Sequence, residues 1–233
     1  MTVNNPPTIL PTRKPNRQRF RRPWNSDPSC VLNLMPEVNS TWRDYSGHGN
    51  DGTIVGPTTI YNARYGEGLL FDGINDYVNC GDDASMKPVD AITLEAWVYL
   101  SSVAHQHVLI GNYAAAGNRS FLLYFGNVAT GVSLFLVADD LSTQEAFCVG
   151  ITQTGWYHIA GTYDGAHIIV YLDGIAGVPV AWAETLDATT ANVTLGWASG
   201  YTQVLEGILD EARIYNRALK AWEVRALYEQ GRP

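Results

Sequence analysis

The acidic residues of the chain do not form the pair that glycoside hydrolysis requires. A glycosidase places two carboxylates on either side of the scissile bond, one as an acid and the other as a base or nucleophile. A strand presents carboxylates to one cleft from alternate positions, because successive side chains point to opposite faces. Glu206, Asp210 and Glu211 come closest to this pattern, but their spacing breaks the alternation. We therefore predict no catalytic residues and a protein that is not an enzyme.

Other catalytic and metal-binding motifs are also missing from the sequence. It contains no G-x-S-x-G, no H-E-x-x-H and no phosphate-binding G-x-x-x-x-G-K-[ST]. His105 and His107 stand two residues apart in a polar segment, where they either hold a metal ion or form a solvated turn. His158 follows Trp156 in a strand pattern, which favours packing within a sheet. The three cysteines are odd in number and form no C-x-x-C, which indicates free thiols.

The first 28 residues differ from the remainder in charge and in proline content. The formal net charge of the chain is -8, yet residues 1–28 carry six basic residues and one acidic residue, together with six of the 11 prolines. Proline disfavours helix and fixes the backbone angle φ, so we predict an extended arm preceding a body at 29–233. Arginine and aromatic residues are common at protein interfaces. The predicted docking residues are Arg13, Lys14, Arg17, Arg19, Phe20, Arg21, Arg22 and Trp24.

Two other partners for this arm remain open. Basic tails bind phosphates of nucleic acids, but the proline interruptions and the net charge of -13 on residues 29–233 favour a protein partner. The arm could also wrap back onto its own acidic body.

No run approaches the roughly 20 apolar residues of a membrane span, and the beginning of the sequence lacks the apolar core of a signal peptide. We therefore expect no membrane partner and no secretion by the usual route.

The elements of the body follow a two-residue apolar period from Ile92 onward, interrupted by turn signals. The pairs Asp164-Gly165 and Asp173-Gly174 are typical of hairpin turns and predict strands at 156–163, 166–172 and 175–180. One helix is predicted near the end, where Ala221, Val224, Leu227 and Tyr228 share a face. Many short strands with little helix indicate an all-β, two-sheet antiparallel sandwich.

Six segments of the body carry a family resemblance when they are read in order. They are DYSGHGNDGTIVG, GEGLLFDGINDYVNCG, ITLEAWVYL, GWYHIAGTYDG, VYLDGIAG and GILDEARIYNRAL. Together they closely resemble the laminin-G-like, concanavalin A-like lectin/glucanase family, over about residues 30–230. The resemblance implies a jelly roll of two curved sheets. In one difference from the family pattern, Lys220 occupies the position where the last helix often begins with Ser, so that Asn216 could cap the helix instead.

The resemblance also implies one structural calcium ion. The family often holds calcium between the N-terminal loop, the F-D-G-x-x-D turn and the penultimate strand. The matching positions are Asp72, Asp76 and Asp210, with Asp44 and Asn50 as further ligands. Calcium binds six to eight oxygens from carboxylates, Asn and carbonyl groups. The alternative is that these aspartates only stabilise turns, as Asp72 before Gly73 would.

Two classes of function remain for a protein of this kind. We expect first a structural or attachment component of a larger, multi-subunit assembly, such as a capsid decoration or tail-attached protein of a virus particle, made in the host cytoplasm and docked through the arm. The alternative is an extracellular, calcium-containing, lectin-like module that binds a surface glycan. Aromatic residues stack on sugar faces, and most aromatics here lie in strand patterns where packing is the expected role. The candidate sugar-binding residues are therefore the loop residues Tyr113 and Tyr201.

Overall fold

The computed structural model describes residues 27–36, 41–56, 58–114, 117–126, 130–199, 202 and 204–231. These residues form short strands, one 3-10 turn at Ala84–Met86 and one α-helix, α1 (Ala221–Gln230). The strands are β1 (Cys30–Pro36), β2 (Thr41–Asp44), β3 (Gly52–Val55), β4 (Thr58–Ala63), β5 (Gly66–Asp72), β6 (Tyr77–Asn79), β7 (Ile92–Leu100), β8 (His107–Tyr113), β9 (Arg119–Phe125), β10 (Gly131–Val137), β11 (Thr143–Val149), β12 (Gly155–Tyr163), β13 (His167–Leu172), β14 (Ile175–Ala176), β15 (Val180–Ala181), β16 (Val193–Leu195) and β17 (Glu206–Tyr215).

The strands form two sheets, and every pairing between them is antiparallel. Sheet A runs in the order β4, β5, β17, β7, β12 and β13, with β14 and β15 paired along β13. Sheet B runs in the order β2, β3, β6, β16, β8, β9, β10 and β11. Strand β1 belongs to both sheets, because its first half pairs with β17 and its second half with β2. The predicted all-β sandwich with a C-terminal helix is confirmed.

The hydrophobic core lies between the facing surfaces of the two sheets. On β7 the inward residues Leu94, Ala96 and Val98 are fully buried. A Cβ atom on Gly161 of β12 would lie 2.9 Å from the side chain of Leu134 on β10, so the sheets are in direct contact there. Such close packing leaves no room for even a single added methyl group without movement of neighbours.

Helix α1 covers the outer face of sheet A. The ring of Tyr228 stacks on Trp97 of β7 with a centroid separation of 5.8 Å, and Val224 and Leu227 are buried. Alternate side chains of β7 therefore point to two buried faces, one toward the core and one beneath the helix. The helix begins at Ala221, and Lys220 precedes it as the cap residue in place of the alternative Asn216.

The hairpins predicted around the two Asp-Gly pairs are present. Strand β12 and strand β13 match the predictions at 156–163 and 166–172 within a residue, whereas the third predicted strand divides into the short β14 and β15. Asp173 and Gly174 both have positive φ, 51° and 73°, as a tight two-residue hairpin turn requires.

Asp27, the first described residue, contacts the body of the protein. The Asp27 carboxylate accepts a hydrogen bond from Arg217 at 2.7 Å and another from the Ser29 hydroxyl at 2.7 Å. The sequence predicts Asp27 as part of the arm at 1–28, and its contacts join this end of the predicted arm to Arg217 of the body. The predicted docking residues between Arg13 and Trp24 lie outside the described residues.

The three cysteines are free thiols. Burial raises the pKa of Cys30 to about 12, so that this thiol stays protonated and unreactive at neutral pH.

In the described part of the chain, no helix has both the length and the apolar character needed to cross a bilayer.

Candidate functional site

A cleft of about 300 Å³ opens at one rim of the sandwich, where β5 ends and β8 and β17 begin. We call it the rim cleft. Its walls combine carboxylate, imidazole, amide and hydroxyl groups with one apolar side chain. The lining residues are Asp72, Gly73, His105, Gln106, His107, Thr202, Val204 and Glu206.

Two acidic residues of this cleft are partners across neighbouring strands. Asp72 is the last residue of β5 and Glu206 the first of β17, and the antiparallel register places them directly opposite each other. Directly opposed residues project from the same face of a sheet with Cβ atoms about 5 Å apart. Gly73 follows in the left-handed region, with φ of 78°, and a Cβ atom there would lie 3.0 Å from that of Glu206. Glycine thus lets the turn after β5 close against Glu206.

His107 connects two walls of the rim cleft. Its Nε2 atom lies 2.9 Å from the carbonyl oxygen of Ser102, and its Nδ1 atom lies 3.2 Å from the backbone amide nitrogen of Glu206. The carbonyl of Val204 is farther from Nδ1, at 3.4 Å. A neutral ring with the proton on Nε2 satisfies the two shorter contacts, because Nε2 then donates and Nδ1 accepts. Burial lowers the pKa of His107, which favours the same neutral form.

The loop before β8 supplies the other wall. Gln106 is half-buried and His105 is exposed. Gly126, with φ of 100°, packs beneath them, and a Cβ atom at this position would lie 2.9 Å from both the Gln106 Cα atom and the His105 carbonyl oxygen. This close approach holds the loop over the end of β9 and presents its side chains to the cleft.

The five predicted calcium ligands are divided among three places. Asp72 and Asp76 share one turn, in which the Asp72 amide donates to Asp76 Oδ2 at 2.9 Å. Asp210 instead accepts from the Tyr65 amide at 2.6 Å, in the turn before β5. Along β17 it is four residues, about 13 Å, from Glu206, which faces Asp72. Asp210 therefore does not share a site with Asp72 and Asp76.

Asp44 and Asn50 form the third place. The Asp44 carboxylate accepts hydrogen bonds from the amides of Asn33, Ser46 and Asn50 at 2.8 to 2.9 Å. This is the turn-stabilising role that was the alternative to calcium binding. No group of three or more His, Cys, Asp or Glu side chains in the described ranges is placed to hold a metal ion. The full ligand set does not fit one ion, and calcium binding itself stays a prediction, restricted to the Asp72–Asp76 turn. Burial and the neighbouring Asp72 carboxylate raise the pKa of Asp76.

The two predicted sugar-binding tyrosines are not both at the rim cleft. Tyr113 is the last residue of β8, whereas His107 is the first, so Tyr113 lies about 20 Å from the cleft along the strand. Its hydroxyl accepts a hydrogen bond from Arg119 at 2.7 Å, and its ring packs near Phe135. Tyr201 lies outside the described residues, next in the chain to the cleft residue Thr202.

A second charged cluster is closed beneath helix α1. Glu95 of β7 forms an ion pair with Arg213 of β17 and accepts a hydrogen bond from His158 Nε2 at 2.9 Å, and Arg213 also pairs with Glu211. All four side chains are at least 94% buried. Burial alone would raise the pKa of Glu95, but the charge of Arg213 and the hydrogen bond from His158 lower it. His158 is packed in the sheet as predicted, and the cluster is inaccessible to a ligand.

The acidic residues that were closest to a catalytic pattern are separated by these contacts. Asp210 and Glu211 are 1% and 4% exposed, and only Glu206 reaches the rim cleft. Sequence reasoning examined Asp72 for calcium, His107 for a metal and Glu206 for catalysis, but did not bring them together. The one available signal was that Asp72 lies in the F-D-G-x-x-D turn of one family motif, where β5 ends, and that Glu206 immediately precedes another, where β17 begins.

Comparison with known proteins identifies relatives of this architecture. A laminin G-type family model, described as the concanavalin A-like lectin/glucanases superfamily, matches residues 72–225, which confirms the resemblance seen in the motifs. A search of curated proteins gives no match.

Solved structures with a similar fold include three toxin domains. The binding domain of Paraclostridial Mosquitocidal Protein 1 aligns with a TM-score of 0.71 at 15% identity, over 87% of this chain and 52% of that domain. The Botulinum neurotoxin serotype G binding domain aligns with a TM-score of 0.66 at 14% identity, over 86% of this chain and 51% of the other. The Botulinum neurotoxin serotype D ligand binding domain in complex with N-acetylneuraminic acid aligns with a TM-score of 0.67 at 15% identity, over 87% and 51%. The chain thus spans about half the length of these structures, and the likeness is one of fold.

Proposed function

We propose that this chain, which belongs to the concanavalin A-like lectin/glucanase superfamily, is a non-enzymatic domain that binds a carbohydrate in its rim cleft. The observation that carries the proposal is the pairing of Asp72 with Glu206 at the cleft, beside Gln106 and Thr202. Carboxylates accept hydrogen bonds from adjacent sugar hydroxyls, and amide and hydroxyl groups serve as both donors and acceptors.

The size and rigidity of the cleft support a small ligand. Ligand pockets range from about 300 to 1,000 Å³, and the rim cleft lies at the lower end, which suits one or two sugar rings. Asp72 and Glu206 project from paired strands, and His107 fixes the neighbouring loop through two hydrogen bonds. Such preorganisation lowers the entropy lost on binding. A complex of a similarly folded domain with N-acetylneuraminic acid supports a carbohydrate as the kind of ligand, without specifying which sugar.

The test is a screen of the purified protein against an array of neutral, amine-bearing and acidic glycans, followed by titration calorimetry with the best ligands. We expect Gln106→Ala and Glu206→Ala to weaken binding by about tenfold or more, as loss of a hydrogen bond to a charged or well-placed polar group does. Glu229→Gln is the matched control, because Glu229 is half-exposed on α1, away from the cleft. Absence of binding to every glycan, or binding unaffected by both cleft variants, contradicts the proposal.

A second candidate function follows from the composition of residues 1–26. Six basic residues between Arg13 and Arg22 precede a body of opposite net charge, and this favours docking of the domain on the surface of a larger assembly such as a virus particle. Deletion should remove residues 1–26 and keep Asp27, because Asp27 pairs with Arg217. We expect a folded protein that no longer joins its assembly. A truncated protein that still assembles contradicts docking, and one that loses only DNA or RNA binding supports the nucleic-acid alternative.

A further inference from the structure

The described lining of the rim cleft contains two acidic residues and no Lys or Arg. Asp72 and Glu206 contribute two carboxylates on the same face of paired strands. His107 carries no compensating charge, because the hydrogen bond that its Nδ1 atom accepts from the Glu206 amide belongs to the neutral ring.

Two backbone amides beside the acidic residues already donate hydrogen bonds within the protein. The amide of Glu206 donates to His107, and the amide of Ile74, in the turn beside the cleft, donates to Asp72 Oδ1 at 2.8 Å. The lining also includes the exposed imidazole of His105 and the neutral side chains of Gln106 and Thr202. A carboxylate on a ligand would therefore meet two like charges, whereas hydroxyl and ammonium groups would find strong acceptors.

From this arrangement we infer that the rim cleft selects neutral and amine-bearing sugars and rejects sugars that carry a carboxylate, such as sialic acids. The inference rests on the proposed function and specifies its ligand class. A like charge about 4 Å away costs on the order of a factor of five in affinity even at the dielectric constant of water. Two carboxylates together should weaken binding of an acidic sugar by about tenfold or more.

The experiment measures affinities for methyl galactoside, glucosamine and N-acetylneuraminic acid at pH 7.5 by ligand-observed NMR titration. Excess chelator is present, so that a calcium ion on Asp72 cannot offset the charge of the cleft. We expect N-acetylneuraminic acid to bind about tenfold or more weakly than the better of the other two sugars. In the double variant Asp72→Asn/Glu206→Gln, the difference in affinity between N-acetylneuraminic acid and the other sugars should become smaller or change sign. The main cause should be weaker binding of glucosamine. Glu229→Gln removes one negative charge on α1 and should leave the order unchanged.

The outcomes separate the inference from the proposed function. If the unmodified protein binds N-acetylneuraminic acid as tightly as the neutral sugar, the selectivity is wrong and carbohydrate binding stands. If no glycan on the wider array binds, the proposed function is wrong and the inference falls with it. If the double variant melts at the same temperature as the unmodified protein, its loss of binding results from the removed charges and not from unfolding. A double variant that is folded and keeps the original preference overturns the role of the two carboxylates.

Discussion

The Nδ1 atom of His107 accepts a hydrogen bond from the backbone amide of Glu206, so the first residue of β8 holds the first residue of β17 only while its ring is neutral. Burial lowers the pKa of His107 below its ordinary value. As pH falls below about 6.5, the unfolded chain takes up a proton that the folded protein does not. Stability from this residue is therefore complete above that pH and declines as pH falls through the folded-state pKa.

We predict that His107→Gln removes this part of the acid sensitivity. Between pH 7.5 and 5.5 the unmodified protein should lose more unfolding free energy than the variant, by up to about 1.4 kcal/mol per pH unit, which is the limit for one proton. Urea unfolding at both pH values measures the difference. His105→Gln is the control, because His105 is exposed at the same loop. Identical pH slopes for His107→Gln and the unmodified protein would show that the ring does not resist protonation.

The charged cluster beneath α1 predicts a large cost for removing one partner. Glu95→Gln leaves the Arg213 guanidinium buried with its charge incompletely balanced, and breaking a buried ion pair from one side costs about 3–5 kcal/mol. Glu229→Gln, in the exposed pair with Arg225, should cost about 0.5 kcal/mol or less. Unfolding free energies at pH 7 compare the two. Equal small losses would refute a structural role for the cluster.

Calcium binding is predicted at the Asp72–Asp76 turn and not at Asp210. An ion that binds only the folded protein stabilises it by about 2.7 kcal/mol at 100 times the dissociation constant. Excess chelator should therefore lower the melting temperature, and Asp76→Asn should abolish the chelator effect, whereas Asp210→Asn should preserve it because Asp210 bonds to Tyr65 at the far end of β5. The prediction fails if chelator leaves the melting curve unchanged and elemental analysis finds no bound metal.

The protein is predicted to be inert on polysaccharides. Asp72 and Glu206 are opposed residues on neighbouring strands, so their carboxylates would approach a sugar from one side, whereas a glycosidase pair flanks the scissile bond. Reducing-sugar release from a panel of β-glucans measures activity. Release that disappears in Glu206→Gln would establish catalysis and overturn the prediction.

The sequence predicts those parts of the fold that depend on residues close together in the chain. The two-residue period of β7 and the Asp173-Gly174 pair predict strands and a hairpin because pleat and turn are local properties. Burial of Glu95 does not follow from the same pattern, since helix α1 covers it from more than 120 residues further along the chain. The rim cleft is hidden for the same reason: Asp72, His107 and Glu206 meet only through strand register. The calcium ligands implied by family motifs were separated by that register too, because Asp210 and Asp72 lie at opposite ends of β5.

Strand β1 has a mechanical consequence for anything that residues 1–26 attach to. Residues Cys30–Asn33 are hydrogen-bonded to β17 of sheet A and Leu34–Pro36 to β2 of sheet B, and the pair between Asp27 and Arg217 precedes both. Hydrogen bonds in an antiparallel pair run perpendicular to the strands. A pull on the N-terminal segment along β1 would load these bonds together in shear, so the domain would share the tension between its two sheets and would not unzip from one end.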